Sequence, residues 1–389
     1  MTNKWLSGWV DDHHDELVDL RRRIHSRPEL GFTEYATTEL VLGRLEAARL
    51  NPRRLPCGTG LVVDIGSGER TVALRADIDA LPVPDLKNVP YRSTVDGLCH
   101  ACGHDAHTAI AVGAALALAQ APRLPGRVRV IFQPAEERMG GAREVINAGE
   151  LEDVEGVFAL HCDAHLPVGQ VGLRAGPITA ACDLVEVRLH GPGGHTARPH
   201  LTVDLVETLS RIAVDSPAMV GRRIDARAGL SLVWGAIHAG EAPNTIPSSG
   251  MLRGTVRVLD HAAWSDAEKQ VTSVITDIAA AAGASVEINY ERGVPPVVND
   301  QTGVDLMRTA IITELGASAV ADTRASMGGE DFAWFGEYAP VTMARLGTHS
   351  DALSTVRDLH QGTFDIDERA LGLGVRVLVS TVLQALSDV

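Results

Sequence analysis

The stretch TVALRADIDALP, residues 71–82, opens on β-branched and aliphatic side chains and closes on acids and a proline. Such a run reads as a buried strand that stops at Asp77 to Pro82. The design recurs twice. RVRVIFQPAEE (127–137) carries a strand from Val128 to Phe132 and presents Glu136 and Glu137 in the turn after it, and GVFALHCDAH (156–165) repeats it with His161 at its end. Between them, HTAIAVGAALALAQA (107–121) is rich in alanine and leucine and predicts a helix, with Asp105 as its N-cap. Strands alternating with helices predict a mostly parallel sheet covered on both faces. Ligands of such sheets gather outside the carboxyl ends of the strands, where these acids and histidines fall.

The loop leading into that helix is LCHACGHDAHTA (98–109), which packs Cys99, His100, Cys102, His104, Asp105 and His107 into twelve residues. Four chemistries compete for it: a disulfide, a redox dithiol, a haem attachment site and a metal cage. The five cysteines are an odd number, and MTNKWLSGWVDDHHDEL lacks the basic start and apolar middle of a signal peptide, so a disulfide framework is disfavoured. Attachment of c-type haem needs a histidine directly after the second cysteine, and Gly103 stands there. A dithiol of Cys99 and Cys102 leaves the three histidines unexplained.

Composition bounds the rest. A chain of 389 residues exceeds what one hydrophobic core supports and predicts two domains. With 45% hydrophobic and 22% charged residues it has an ordinary soluble composition. Lys and Arg total 35 against 50 Asp and Glu, a formal charge of -15, which gives a nucleic-acid or anionic-membrane partner little electrostatic support. No apolar stretch is expected to approach the roughly 20 residues that span a bilayer, so the cytoplasm is the default location.

The pattern changes near residue 181. DLVEVRLHG (183–191) alternates like a half-exposed strand, LTVDLVETLSRIAVD (201–215) reads as helix, and GLSLVWGAIHAG (229–240) and SGMLRGTVRVLD (249–260) read as paired strands. A helix over 262–283 and a strand over 285–293 complete a β-α-β-β-α-β order, the signature of a ferredoxin-like sandwich inserted into the first domain. The expected fold is therefore α/β, with a catalytic domain over 1–180 and 293–389 and an insert over 181–292. SMGGEDFAWF (326–335) is expected in the catalytic part, and a closing helix near 368–386.

Summed over the strand ends, the ligand inventory favours metal. Cys102 and His104 leave one loop, Glu136 and Glu137 follow a second strand, His161 belongs to a third, and RDLHQGTFDIDE (357–368) offers His360. Thiolate, imidazole and carboxylate together suit zinc or a neighbouring first-row ion, whereas magnesium and calcium prefer all-oxygen shells. These candidates exceed one tetrahedral shell, and two ions about 3.5–4 Å apart with a shared ligand would use them all. One of the adjacent glutamates can ligate while its neighbour acts as general base.

The ordered motifs RADIDALP, HACGHDAHT, IFQPAEE, GGHTARPH, PNTIP, RGTVR, MGGEDF and FDIDE resemble those of the aminoacylase and carboxypeptidase-like metallopeptidases. They are most similar to the amidohydrolase branch of hippurate hydrolases, N-acyl-amino-acid amidohydrolases and auxin-conjugate hydrolases, over about residues 15–375. The resemblance implies a di-metal α/β domain with an inserted ferredoxin-like lid. It further implies two divalent ions per chain (zinc, manganese, cobalt or nickel) and metal-dependent hydrolysis of N-acyl amino acids. By position it implies Cys102 as bridging thiolate, His104, Glu137, His161 and His360 as terminal ligands, Glu136 as general base and Asp79 as orienting a ligand. In the insert it implies His195 at the tetrahedral intermediate and Asn244 and Arg257 at the substrate, with a homodimer formed through the lid. His100 and His107 are expected to support the loop.

The chain departs from the family pattern at RMGGA (138–142), at QGTF (361–364) and at Cys99, which replaces an aliphatic residue. These changes border the pocket and bear on specificity more than on chemistry. The same apparatus could cleave a dipeptide, a carbamoyl amino acid or an N-acyl-diaminopimelate-type acylated diamine. A non-catalytic metal-dependent binding protein is the reading from another class, and the intact Glu136 argues against it.

Overall fold

The computed structural model describes residues 4–350 and 356–387; residues 1–3, 351–355 and 388–389 of the expected catalytic segments lie outside the described residues. The chain divides into two compact units. The first comprises the described residues of Met1–Gly176, Val298–Arg324 and Asp331–Val389, and the second comprises Pro177–Val297 and Ala325–Glu330. SMGGE (326–330), expected in the catalytic segment, thus falls with the second unit, where Ser326 bridges to Thr179.

The first unit begins with α1 (Lys4–His25), α2 (Tyr35–Ala47), β1 (Arg53–Arg54), β2 (Leu61–Gly66), β3 (Thr71–Asp77), α3 (His104–Ala119), β4 (Arg127–Gln133), α4 (Gly141–Asn147), β5 (Val157–Pro167) and β6 (Val171–Leu173). The second unit contributes β7 (Ala181–His190), α5 (Leu205–Arg223), β8 (Ser231–Ala239), β9 (Ser249–Val258), α6 (His261–Ala281) and β10 (Ser285–Val294). The first resumes with α7 (Gln301–Leu315), β11 (Val320–Asp322), β12 (Val341–His349) and α8 (Arg369–Ser387).

Eight strands of the first unit form one sheet in the order β1-β2-β4-β3-β5-β12-β6-β11. It is parallel through its centre, from β4 across β3 and β5 to β12, and antiparallel at β1–β2, β2–β4 and β12–β6. Every residue of β3 is buried, as a strand covered on both faces requires. The fold corrects three sequence expectations. First, β5 does not end at His161: pairing with β12 carries it on to Pro167, so His161 lies within the strand opposite Arg345.

Second, α3 starts at His104, and Asp105 is not its N-cap. Gly103 takes the cap position with φ of 87°, and a Cβ there would meet Cys162 Sγ at 2.8 Å, so both backbone and packing require glycine. Asp105 is instead buried in the first turn. The rest of α3 is buried nearly all round against α1, α8 and β3, which accounts for its small apolar composition. Third, α8 is long and apolar enough, by length and composition alone, to cross a membrane. Most of it is buried among the other helices of the first unit, as the apolar core helix of an α/β domain.

In the second unit the four strands run in the order β8-β9-β7-β10 with antiparallel neighbours throughout, joined by α5 and α6 in β-α-β-β-α-β succession. Helix α5 begins later than its apolar pattern suggests. Pro199–Leu201 forms a separate short turn, and Asp204 caps the helix by accepting from the Val206 and Glu207 amides.

Candidate metal centre

The first unit gathers its candidate ligands at the carboxyl ends of β3 and β4 and on β5. Cys102, His104 and His161 present ligand atoms within 4.8 Å of one another, and so do Cys102, Glu137 and His360, and His104, Glu136 and Glu137. Cys102 is common to the first two groups. Its Sγ lies 3.6 Å from His161 Nε2, and His360 Nε2 lies 3.4 Å from Glu137 Oε1. His104 Nε2 stands 3.9 Å from both Glu136 Oε2 and Glu137 Oε1.

Each buried imidazole is oriented by its other nitrogen. His104 Nδ1–H donates to the Asp79 carbonyl at 3.0 Å and lies 3.2 Å from the Asp79 carboxylate, while His161 Nδ1–H donates to the Cys162 carbonyl at 2.8 Å. Both Nε2 atoms are thereby turned towards the cluster. Asp79 also accepts the Glu137 amide at 3.0 Å, so one carboxylate positions a ring and the backbone of a neighbouring candidate. His360 reaches the cluster from a loop whose φ of 61° is unusual for histidine, fastened by donation from its amide to the Ala101 carbonyl at 2.7 Å.

The donors fit a cation better than they fit one another. His104 Nε2 and Glu137 Oε1 are buried and have no hydrogen-bond partner. Orphaned polar atoms of this kind are costly unless a further group satisfies them. Burial pushes the Cys102 thiol up to about 12, against the opposing pull of His104, so a thiolate there at neutral pH requires a neighbouring positive charge. Burial, with help from Arg345, pushes His161 well below its usual value, which keeps its ring neutral and its lone pair available. Burial also raises Glu137, although His104 and His360 pull against it.

A supporting network escaped the sequence reading. Asp77 lies 3.8 Å from His104 Nε2, accepts from His107 Nδ1–H at 2.6 Å, and pairs with Arg75 at 2.7 Å. Arg75 continues to Gln133 at 2.9 Å and to Asp331 at 3.2 Å, and Asp331 also accepts from Gln133 at 2.7 Å and from the Ala142 amide at 2.9 Å. His107 accepts the Cys162 amide at 2.8 Å, so both its nitrogens are engaged in holding the loop. His100 is buried with neither ring nitrogen partnered, and burial lowers it to about 3.

In the second unit the expected substrate residues do not converge. Gly194–His195 pairs with Thr245–Ile246, which places His195 beside Asn244, and both are exposed. Arg257 lies at the far end of β9 from that ribbon and donates to the Met327 carbonyl. The nine residues of β9 from Ser249 to Arg257 span roughly 25 Å.

Comparison with known proteins follows the same lines. The model of Peptidase family M20/M25/M40 matches residues 73–384. The chain is 36% identical to the N-acetyl-L-cysteine deacetylase of Bacillus subtilis, over 92% of this chain and 85% of that protein. It is 47% identical, over 94% of its length, to a Rhodococcus jostii protein that bears the provisional name glutamate–cysteine ligase 2-3, but it spans only 46% of that protein. Among solved structures, the Bacillus subtilis YXEP protein, described as a dinuclear metal binding peptidase, superposes with a TM-score of 0.86 at 32% identity, covering 97% of this chain and all of that one.

Proposed function

Since the chain belongs to Peptidase family M20/M25/M40 and is a hydrolase of amide bonds, we propose that it splits N-acyl amino acids into a carboxylate and a free amino acid. The observation that carries this reading is the pair of donor groups sharing Cys102, with His104 Nε2 and Glu137 Oε1 left orphaned between them. Cys102 with His104 and His161 would hold one divalent ion, and Cys102 with Glu137 and His360 a second; zinc, manganese, cobalt and nickel all suit such donors. Bound there, the ions supply Lewis acidity, bringing the pKa of water towards about 7 and drawing electron density from the acyl carbonyl.

The chain's own groups do the rest. Glu136 takes the proton of the attacking water and passes it to the leaving nitrogen as the C–N bond breaks. Asp79 keeps His104 and the Glu137 backbone in place. His195 donates to the oxyanion, with Asn244 beside it, and the planar fork of Arg257 takes the substrate α-carboxylate. The separation of His195 from Arg257 along β9 is what a homodimer through the second unit would resolve, one chain's His195 serving the partner's substrate.

Two measurements test this. N-acyl amino acids are expected to exceed their carboxamide analogues in kcat/KM by roughly 10–100-fold, the worth of a charge-assisted hydrogen bond. Equal values would remove the carboxylate-binding role while leaving the metal chemistry untouched. A panel that includes dipeptides, carbamoyl amino acids and N-acyl-diaminopimelate separates the neighbouring amidase activities, and turnover of any of them excludes a binding protein without catalysis. Cys102→Ser is expected to retain far less metal after reconstitution and equilibrium dialysis than Cys99→Ser, because the Cys102 thiol is shared by two donor groups, whereas the Lys87 ammonium stands against Cys99. Equal losses would return the loop to the dithiol reading.

A further inference from the structure

The first unit holds a second buried set of reactive side chains, apart from the metal centre. Lys87 and Cys99 are 4% and 0% exposed, and Lys87 Nζ lies 3.3 Å from Cys99 Sγ. The ammonium also pairs with Asp85 Oδ1 at 3.0 Å, and the same oxygen accepts the Lys87 amide at 3.0 Å. The other Asp85 oxygen accepts from His25 Nε2–H at 3.2 Å and from the Ser93 amide at 2.9 Å. Two backbone hydrogen bonds with Leu81, at 3.0 and 3.1 Å, fix Cys99. Nucleophilic nitrogen and sulfur are therefore both anchored at contact distance. His25, Asp85 and Cys99 also offer nitrogen, oxygen and sulfur donors within 4.8 Å of one another, but the Lys87 ammonium already stands against two of them. The cation of that pocket is the chain's own.

We propose that Lys87 and Cys99 form a modification site at which oxidation by peroxide closes a reversible sulfenyl-amide cross-link between Sγ and Nζ. In the first step hydrogen peroxide transfers one oxygen to the sulfur, giving a sulfenic acid and water; the sulfur loses two electrons and the peroxide gains them. In the second, the ammonium loses one proton to water admitted by local opening, and the freed nitrogen pair attacks the sulfur. The S–O bond breaks, and the departing hydroxide takes a second proton from nitrogen and leaves as water. The product is an S–N bond, with Asp85 still a carboxylate beside His25, and the joined side chains carry two hydrogens fewer than the neutral thiol and amine. An added thiol reverses the reaction by attacking the sulfur and releasing the amine.

Two features favour this outcome over further oxidation of the sulfur. The nitrogen is held next to the sulfur, so its attack is intramolecular, whereas a second peroxide must arrive from solution. Access comes from local opening, since residues 82–98 carry no helix or strand and the oxidant is little larger than water. The cross-link would join the middle of that segment to a residue three positions before Cys102. None of this depends on which residues ligate metal.

The test is peptide mapping by mass spectrometry of the metal-loaded protein after treatment with hydrogen peroxide. The expected product joins the peptides carrying Lys87 and Cys99, is lighter than their sum by two hydrogens, and separates on reduction with dithiothreitol. Lys87→Arg keeps a positive charge beside Asp85 without a comparable nucleophile, and Lys87→Met removes both. In each, the cross-link should vanish and Cys99 should accumulate as sulfinic acid. Cys99 left unmodified in the wild-type protein while the other thiols oxidise would overturn the proposal. So would sulfinic acid forming at Cys99 equally fast in the wild-type protein and in Lys87→Arg.

Discussion

Glu136→Gln is expected to lower kcat by about 10²–10⁴-fold while metal content stays at the wild-type level. Glutamine keeps the shape of the buried side chain and removes its ability to accept a proton. The choice between the two adjacent glutamates rests on their neighbours. Glu137 lies within 3.4 Å of His360, has its amide fixed by Asp79, and leaves Oε1 orphaned among candidate ligands. Glu136 joins the group with His104 and Glu137. Glu137→Gln should therefore lower metal affinity first and activity as a consequence, with excess metal restoring part of it. A Glu136→Gln enzyme that keeps more than about a tenth of wild-type kcat would show that another group takes the proton.

The largest loss of stability is expected from Arg21→Met, about 3–5 kcal/mol, read from the denaturant midpoint at unchanged slope. Arg21 is fully buried and pairs with Asp105 at 2.6 Å, Asp365 at 2.8 Å and Glu368 at 3.3 Å, with its guanidinium 4.9 Å from the centre of the Tyr91 ring. The same Asp105 oxygen, Oδ2, also accepts from His25 Nδ1–H at 2.7 Å. Burial alone would lower His25, but Asp105 and Asp85 outweigh it and raise it to about 10, so the ring is a cation. Without Arg21 the buried Asp105 keeps one counter-charge of two, and Asp365 keeps the Tyr91 hydroxyl but loses its ion-pair partner. Arg22→Met is the control. Its pairing with Glu368 is half exposed, and its loss should cost no more than ~1 kcal/mol. A similar effect from both variants would mean that the buried cluster contributes little to stability.

Periodicity made the strands β3, β4 and β5 and the four strands and two helices of the second unit legible, because their burial patterns are local properties of the chain. Glu136 and Glu137 were legible for a related reason: the end of β4 confines acids to a predictable place, whereas His161 proved to lie within β5. What local reading missed was long-range charge pairing. Arg21 lies 84 residues from Asp105, and Arg75 lies 256 residues from Asp331. Nothing in a single-sequence pattern distinguishes such arginines from solvated surface ones. Asp105 shows the same limit from the other side. Its residue type suits an N-cap, but the need for glycine beside Cys162 moved the helix start, and the acid became a buried partner instead.

Strand β12 sits between β5 and β6, yet it is made from residues 341–349. Synthesis from the N-terminus therefore leaves the sheet open between β5 and β6 until residues 341–349 have been made. The second unit, by contrast, has its four paired strands and two helices in one unbroken stretch. It can form while β5 still exposes an edge of unpaired backbone N–H and C=O groups, and open edges of that kind invite pairing with other chains. The insertion thus imposes an order of events on biogenesis. The segment with local contacts folds early, and the metal-binding sheet closes only by a pairing nearly two hundred residues apart, of the kind that makes folding slow.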